Sequence, residues 1–318
     1  MGFLSRLLAR VFWFSLAILA LGLTAGTISG LLCKHFWLCE LATHFQFQYV
    51  VLLAIVSVIF ALDARFKWAA FALVVGTSAF CYHLLPLYAG GRPHVEEPRT
   101  LRLVSSNIAY FNETKEELVS YISTEKPDVV LLYEVTEAWL PILKTLEITF
   151  PHFKVFPHKR HAGIALFSKL PLENVEQRMI GNSPSPVVVA NAVLGELKLS
   201  LVGAHPDPLS TWAGTLQRND QLEGLAELVV AMPTPLVLAG DLNTSSFNPA
   251  FKRLVDDTGL RDTRRGFGVL NTWSAKLPLV RTTIDHFLVS PRVKVVDRRV
   301  GPYIGSDHYP IVVDVLVK

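Results

Sequence analysis

Leu236–Asn243 reads Leu-Val-Leu-Ala-Gly-Asp-Leu-Asn, an apolar run that ends in a carboxylate and an amide. A bounded run this short is a buried strand, and its last residues lie where a sheet presents side chains to a cleft. Asp241 and Asn243 are two apart, so on an extended chain both point to the same side. Gly240 lets the backbone come close to a ligand. The same pattern recurs outward along the chain. Asn107 closes Leu101–Ile108, Glu134 closes Asp128–Val135, and His205 follows Lys198–Ala204. Asp285 opens a strand at Ile284–Ser290, and Asp307-His308 precedes Ile311–Val317. One polar residue at a strand end is commonly a turn former or cap. Six strand ends carrying metal-type or acid/base side chains point to a reactive site.

Further strands are expected at Gly163–Ser168, Val187–Leu194 and Val293–Val300. Helices are expected at Thr136–Ile148, Leu209–Val230 and Asn248–Asp256. Thr114-Lys-Glu-Glu117 is a capping box that opens another helix, ending before Pro127. Roughly ten strands with a few helices over residues 100–318 predict a two-sheet α/β sandwich rather than a strict βαβ alternation.

Before this sandwich the composition is different. The chain has 318 residues, 51% hydrophobic and 18% charged, too apolar for an ordinary soluble domain. Residues 1–90 hold only Arg6, Arg10, Lys34, Arg65 and Lys67 against Glu40 and Asp63, so the formal charge of +3 lies entirely there. The remainder is neutral, which disfavours a strongly basic nucleic-acid binder. Three uncharged runs, Val11–Cys33, Leu41–Leu62 and Trp68–Gly91, have 23, 22 and 24 residues. Each reaches the ~20 residues needed to cross a bilayer. Leu41–Leu62 requires His44, Gln46 and Gln48 to sit in the interface. A signal peptide followed by two buried helices is disfavoured, because the first run is long and lacks a small-residue cleavage site.

The domain organisation expected is therefore a membrane anchor of three transmembrane helices over residues 1–90, a linker at 91–99 and a globular part at 100–318. Positive flanks place the N-terminus and Asp63–Lys67 on the cytoplasmic side and everything after Gly91 on the other. The expected location is a bacterial inner membrane, with the globular part extracytoplasmic and the lipid bilayer as the partner of residues 1–90. All three cysteines, Cys33, Cys39 and Cys81, lie in the anchor. Cys33 and Cys39 either bridge in the outer loop or remain free thiols. His83 reads as an interfacial histidine at the outer end of its helix.

Six segments, taken in order, resemble the endonuclease/exonuclease/phosphatase superfamily. They are Ser106-Asn107-Ile108, Val130–Val135, Gly203-Ala204-His205-Pro206, Ala239–Asn243, Ile284–Ser290 and Ser306-Asp307-His308-Tyr309-Pro310. The resemblance spans about Leu101–Val317 and implies a phosphoesterase that attacks phosphorus in line with water, without a covalent intermediate. Glu134 is then the main ligand of Mg²⁺, with Mn²⁺ able to substitute. A hard cation that keeps most of its waters leaves no compact motif. Asn107 orients that carboxylate or reaches phosphate, and Asp307 is a second carboxylate on the metal side. Asp241 takes or aligns the attacking water, and Asn243 and His205 donate to phosphate or the leaving group. Asp285 and His308 form a carboxylate–imidazole pair that fixes the tautomer and favours the charged ring. Either Asp241 or that pair is the base.

Outside this set, Asn112, Arg218 and Arg281 are weaker phosphate contacts, Arg218 reading better as a structural or surface cation. His152, His158 and His161 read as a solvated basic loop, and His286 as a packed residue facing away from Asp285. Trp212 and Trp273 are core or cleft residues. Tyr133 stands where many family members have glutamine. Ala109 replaces the further acidic residue of several nucleases, which weakens a two-metal scheme. The activity expected is a membrane-anchored, Mg²⁺-dependent phosphodiesterase of nuclease type. Hydrolysis of phospholipid headgroups or of phosphomonoesters are the alternatives, so the substrate partner is nucleic acid, phospholipid or a small phosphoester. A catalytically inactive binding module is the alternative of another class.

Overall fold

Apolar stretches broken by single polar residues give helices in the first ninety residues and strands beyond them. A computed structural model describes residues 3–32, 37–90, 100–159, 161–208 and 211–318. Helices α1 (Phe3–Leu32), α2 (Trp37–Thr43), α3 (Gln46–Leu62) and α4 (Phe66–Ala79) come first, and a π turn at Phe80–Leu84 joins α4 to α5 (Leu85–Tyr88). Phe3–Leu31 and Phe66–Tyr88 are long and apolar enough to cross a membrane. The uninterrupted run expected at Leu41–Leu62 is instead broken. It forms α2 and α3, bent by 70°, and counts as a third candidate span only if the pair is taken together.

The polar residues of that run explain the bend. Gln48 Nε2 donates to the Arg281 carbonyl at 2.7 Å, and the Thr282 hydroxyl donates to the His44 carbonyl at 2.8 Å. Gln46 Nε2 donates to the Gly26 carbonyl of α1 at 3.1 Å. These groups find partners in protein rather than in an aqueous interface. At the far end of the bundle Arg65 lies over Trp13, 4.3 Å from the ring centre, and Trp13, Phe60 and Trp68 stack at 5.7 and 5.8 Å. At the near end the Leu87 carbonyl accepts from the Gly266 and Gly268 amides, at 2.8 and 3.0 Å. Cys81 is free, and Cys33 lies outside the described residues.

The globular part is the expected sandwich of two mixed sheets. One runs in the order β11 (Val293–Val300), β12 (Ile311–Val317), β1 (Leu101–Asn107), β2 (Val129–Tyr133), β4 (Ile164–Ser168), β3 (His152–Phe156). The other runs β5 (Leu172–Arg178), β6 (Val187–Leu194), β7 (Leu197–Ala204), β8 (Leu236–Asp241), β10 (Asp285–Val289), β9 (Arg261–Asp262). Only β1–β2 and β7–β8 pair in parallel among the described strands. Leu103, Leu131 and Val313 meet Val188, Leu201 and Phe287 between the sheets. Helix α6 (Lys115–Glu125) covers the outer face of the first sheet with Leu118 and Ile122. Helices α8 (Trp212–Ala231) and α9 (Pro249–Thr258) cover the second with Leu222 and Phe251. Because both faces of the central strands are covered, β2, β4 and β8 are apolar nearly to their ends, while β1 and β10 also bury Ser105, Ser106 and His286.

Local chemistry alters two expectations. The helix read at Thr136–Ile148 is three short turns, with α7 (Leu140–Leu143) between 3₁₀ turns. Pro141 lacks the amide hydrogen that a continuous helix needs. Thr114 does precede α6, but its side chain does not cap it. That hydroxyl donates instead to Asn112 Oδ1 at 3.3 Å. Strands β3, β5 and the two-residue β9 have no counterpart in the sequence pattern; β5 is an exposed edge whose charged residues hide its alternation.

Candidate active site

Strand register brings the two sheets' polar ends together. Asp241, last in β8, pairs with Asp285, first in β10, while Asn107 ends β1 beside Tyr133 of β2. Buried Asn107 bridges the sheets: its Nδ2 donates to Glu134 Oε1 and to Asp241 Oδ2, both at 3.0 Å. Its Oδ1 accepts the Ala109 amide at 3.0 Å. Glu134 Oε2 accepts the Tyr110 amide, also at 3.0 Å. A carboxylate has about four acceptor sites, so these two bonds leave half of them open to the cleft. Glu134 has φ of +64°, a left-handed conformation that costs a non-glycine residue roughly 1–3 kcal/mol and persists only where the surroundings impose it. Here the Asn107 and Tyr110 bonds impose it.

Two imidazoles flank Asp241. His308 Nδ1 lies 3.0 Å from Asp285 Oδ2, and its Nε2 lies 3.6 Å from Asp241 Oδ2. His205 Nδ1 sits 2.9 Å from the His161 carbonyl, and its Nε2 lies 3.4 Å from Asp241 Oδ2 and 4.0 Å from Glu134 Oε1. Neither a carbonyl nor an ionised carboxylate donates, so both Nδ1 atoms carry hydrogen. Burial works against charge on His308, but the carboxylates of Asp285 and Asp241 outweigh it and push the ring's pKa up to about 10. His205 is likewise raised, against its burial, by Asp241 and Glu134. Asp241 is buried too, yet His308, His205 and the Asn107 amide hold it ionised, below the usual carboxylate range. At neutral pH the ionised Asp241 lies beside a cationic His308 and a His205 ring that its carboxylate neighbours draw toward charge.

Glu134, His205, Asp241, Asn243, Asp307 and His308 line one cleft of about 510 Å³. Asn107 and Asp285 stand behind it, hydrogen-bonded to its lining. The expected group is thus assembled, with two corrections of detail. Asn243 is not extended: its φ is +48°, and its Nδ2 donates to the Pro206 carbonyl at 2.9 Å. It reaches the cleft by a turn. Gly240 serves a neighbouring strand rather than a ligand, since a Cβ there would lie 1.9 Å from the Ala204 carbonyl oxygen. Asp307 Oδ2 accepts from Trp273 Nε1 at 3.1 Å, and Trp273 also lines the cleft.

The weaker candidates separate cleanly. Arg218 is fully buried and pairs with Glu40 of α2, while its Nη1 donates to the Asn243 carbonyl at 3.1 Å. It is a structural cation. Asn112 Nδ2 donates to the Ile304 carbonyl, and Arg281 donates to the carbonyls of Ser274 and Ala275. His286 is buried against Phe251, with Nε2 2.8 Å from the Thr244 carbonyl. His161 is not a free loop residue, because its carbonyl holds His205 and its Nε2 lies 3.4 Å from Asp207. Tyr133, in the place of the family's glutamine, donates from its hydroxyl to the Ala239 carbonyl at 2.8 Å across the sheets.

Several contributors escape a reading of strand ends. The Ser306 hydroxyl donates to the Asn107 carbonyl at 2.8 Å and accepts the His308 amide at 3.1 Å, joining the two ends of the site. Leu41, His44 and Phe45, from the bend between α2 and α3, line the cleft. The signal for them was Glu40, an acidic residue between two apolar runs, which finds its partner 178 residues away.

A sandwich with an amide, carboxylates and two histidines converging at one end is the arrangement of a phosphoester-cleaving fold. The sequence model of the Endonuclease/Exonuclease/phosphatase family matches residues 104–308, and the chain belongs to that family. TDP2 of D. rerio, solved with a single-strand DNA product, is similar in fold at 20% identity and a TM-score of 0.57, covering 69% of this chain and 100% of that one. An endonuclease/exonuclease/phosphatase from Beutenbergia cavernae gives 18% identity and 0.57, with 69% and 72% covered. Sphingomyelinase C from Streptomyces griseocarneus gives 18% and 0.53, with 68% and 99% covered. No curated protein matches the chain significantly in sequence.

Proposed function

We propose that the protein is a membrane-anchored, divalent-metal-dependent phosphodiesterase. The observation that carries this reading is the bridge of Asn107 between Glu134 and Asp241, with His205 and His308 on either side of Asp241. Asp241, Asp285 and His308 also offer atoms within 4.8 Å of one another, but Asp285 and His308 already engage each other. Glu134 has open oxygen sites facing the cleft, which fits a hard cation such as Mg²⁺, or Mn²⁺ in its place. Glu134 would hold the ion, with Asn107 orienting it and Asp307 as a further oxygen donor. When bound, the metal supplies a positive charge that polarises a phosphate oxygen.

The chain's own groups supply the proton chemistry. His308 is a cation at neutral pH, so it donates to a phosphate oxygen rather than acting as base. Asp241, ionised between the rings, accepts the proton of the attacking water. His205, with Nδ1–H committed to the His161 carbonyl, presents Nε2 to the leaving group. Asn243 lines the same wall.

The test is turnover of soluble bis(p-nitrophenyl) phosphate by the full-length protein in detergent. A rate restored by Mg²⁺ or Mn²⁺ after chelation is expected. No turnover with either ion would refute the assignment and favour a binding module.

Arg6, Arg10, Arg65 and Lys67 gather at the end of the helices marked by the Arg65–Trp13 contact, away from the cleft. Positive charge stays on the cytoplasmic side, so the sandwich faces outward from a bacterial inner membrane. A reporter fused after Lys318 that works only when exported should be active; activity of a cytoplasm-only reporter there would reverse the topology.

A further inference from the structure

The sandwich does not build the cleft alone. Leu41, His44 and Phe45 line it from the bend between α2 and α3, and that bend is fastened on several sides. Thr282 binds the His44 carbonyl and Gln48 binds the Arg281 carbonyl. Glu40 pairs with Arg218 and accepts from Asn219 and Asn248 at 3.0 and 3.3 Å. Arg218 in turn holds the carbonyl of Asn243, a cleft residue. A buried ion pair is a fixed joint when both partners are also hydrogen-bonded, because separating them leaves uncompensated charge. The bend is a wall of the site, not a tether passing near it.

The hairpin beside the bend shows what the cleft is suited to take. Trp273 and Thr282 pair across it, and both line the cleft. The tip of that hairpin carries Leu277, Leu279 and Val280, which are 60%, 89% and 40% exposed. Arg281, the next residue, is the one gripped by Gln48 at the start of α3. The apolar tip therefore lies at the level where the helices enter the sandwich. Clustered exposed apolar side chains at that level are suited to the boundary of a bilayer.

We infer that the substrate is a phosphoester carried by a lipid of the same bilayer. Its phosphate reaches His205, Asp241 and His308 and its apolar part stays along Leu41 and Phe45, while the hairpin tip, outside the cleft, seats at the bilayer boundary. The inference rests on the phosphodiesterase reading and on the helices spanning the membrane. The step balances with water alone. Water oxygen forms the new bond to phosphorus, the bond from phosphorus to the alkoxide oxygen breaks, and the water proton taken by Asp241 is matched by one given to the alkoxide from His205. A long nucleic acid would have to bring its charged backbone against the apolar rim and the bilayer surface.

Full-length protein is reconstituted in vesicles of equal parts phosphatidylcholine, phosphatidylethanolamine, phosphatidylglycerol and phosphatidic acid. Release of water-soluble phosphorus is followed beside turnover of bis(p-nitrophenyl) phosphate and of a single-stranded DNA oligonucleotide. A vesicle lipid should be cleaved with a higher kcat/KM than DNA. The double variant Leu277→Asp, Leu279→Asp should lower lipid turnover at least ~10-fold, because it removes apolar area from the bilayer boundary. Turnover of the soluble diester should be unchanged. DNA cleaved as well as any of the four lipids, or equal losses on both substrates in the double variant, would overturn the lipid assignment while leaving the phosphodiesterase reading intact. Failure to cleave the soluble diester would instead overturn that reading, and the lipid assignment with it.

Discussion

Glu134→Gln should leave a folded protein whose metal-dependent turnover has fallen at least ~10²-fold, the usual cost of losing one electrostatic stabiliser. The amide keeps the shape of the carboxylate and can still accept from Asn107 Nδ2, now 3.0 Å from Oε1. It loses the negative charge that a hard cation needs, and one of its two atoms can no longer accept the Tyr110 amide. The structural loss is about one hydrogen bond at a partly solvated position, roughly 0.5–1.5 kcal/mol, so the thermal midpoint should move little. Initial rates over a series of Mg²⁺ concentrations, with a melting curve for each protein, decide the matter. A variant with wild-type rate at saturating Mg²⁺ and unchanged stability would remove Glu134 from the metal site.

Glu134 follows five consecutive buried apolar residues in β2, so its position at a strand end is legible without coordinates. The same holds for Asp241 at the end of β8, whereas buried Ser105 and Ser106 before Asn107 and buried His286 after Asp285 blur the signal in β1 and β10. Tertiary pairing leaves no local pattern, and the Asp285–His308 pair is legible only through the family resemblance. Gly240 looked like an approach for ligand, and only the β7–β8 contact reveals the Ala204 carbonyl it makes room for. Asn243 looked extended, and its turn exists because the Pro206 carbonyl captures its amide. The bend at His44-Phe45 is likewise dictated by carbonyls and hydroxyls far along the chain, which no local pattern announces. Arg218 reads from sequence as a structural or surface cation, and its buried pairing with Glu40 decides for the first.

The joined action of Asp285 and His308 is the sharpest consequence of the geometry. The two residues are 23 positions apart, one opening β10 and one in the loop before β12, and they meet at 3.0 Å in a buried wall. Thr272 Oγ1 accepts the Asp285 amide at 3.4 Å and Ser306 Oγ accepts the His308 amide at 3.1 Å, so both backbones are held from behind. Asp285 fixes the ring with hydrogen on Nδ1 and favours the cation, which leaves Nε2–H directed toward Asp241 in the cleft. Without the carboxylate, the ring is free to turn and to lose its proton. Without the ring, the carboxylate has nothing to orient. His308→Ala and Asp285→Ala should each lower kcat at least ~10²-fold, the low end for a positioned acid or base. Each also leaves a buried group unpaired, so Asp285→Asn, which keeps shape and one hydrogen-bonding atom, is the companion that separates charge from packing. The double alanine variant should be little slower than the slower single one, because groups that act as a unit are strongly non-additive. If the two losses multiply, with all variants folded, Asp285 and His308 act separately.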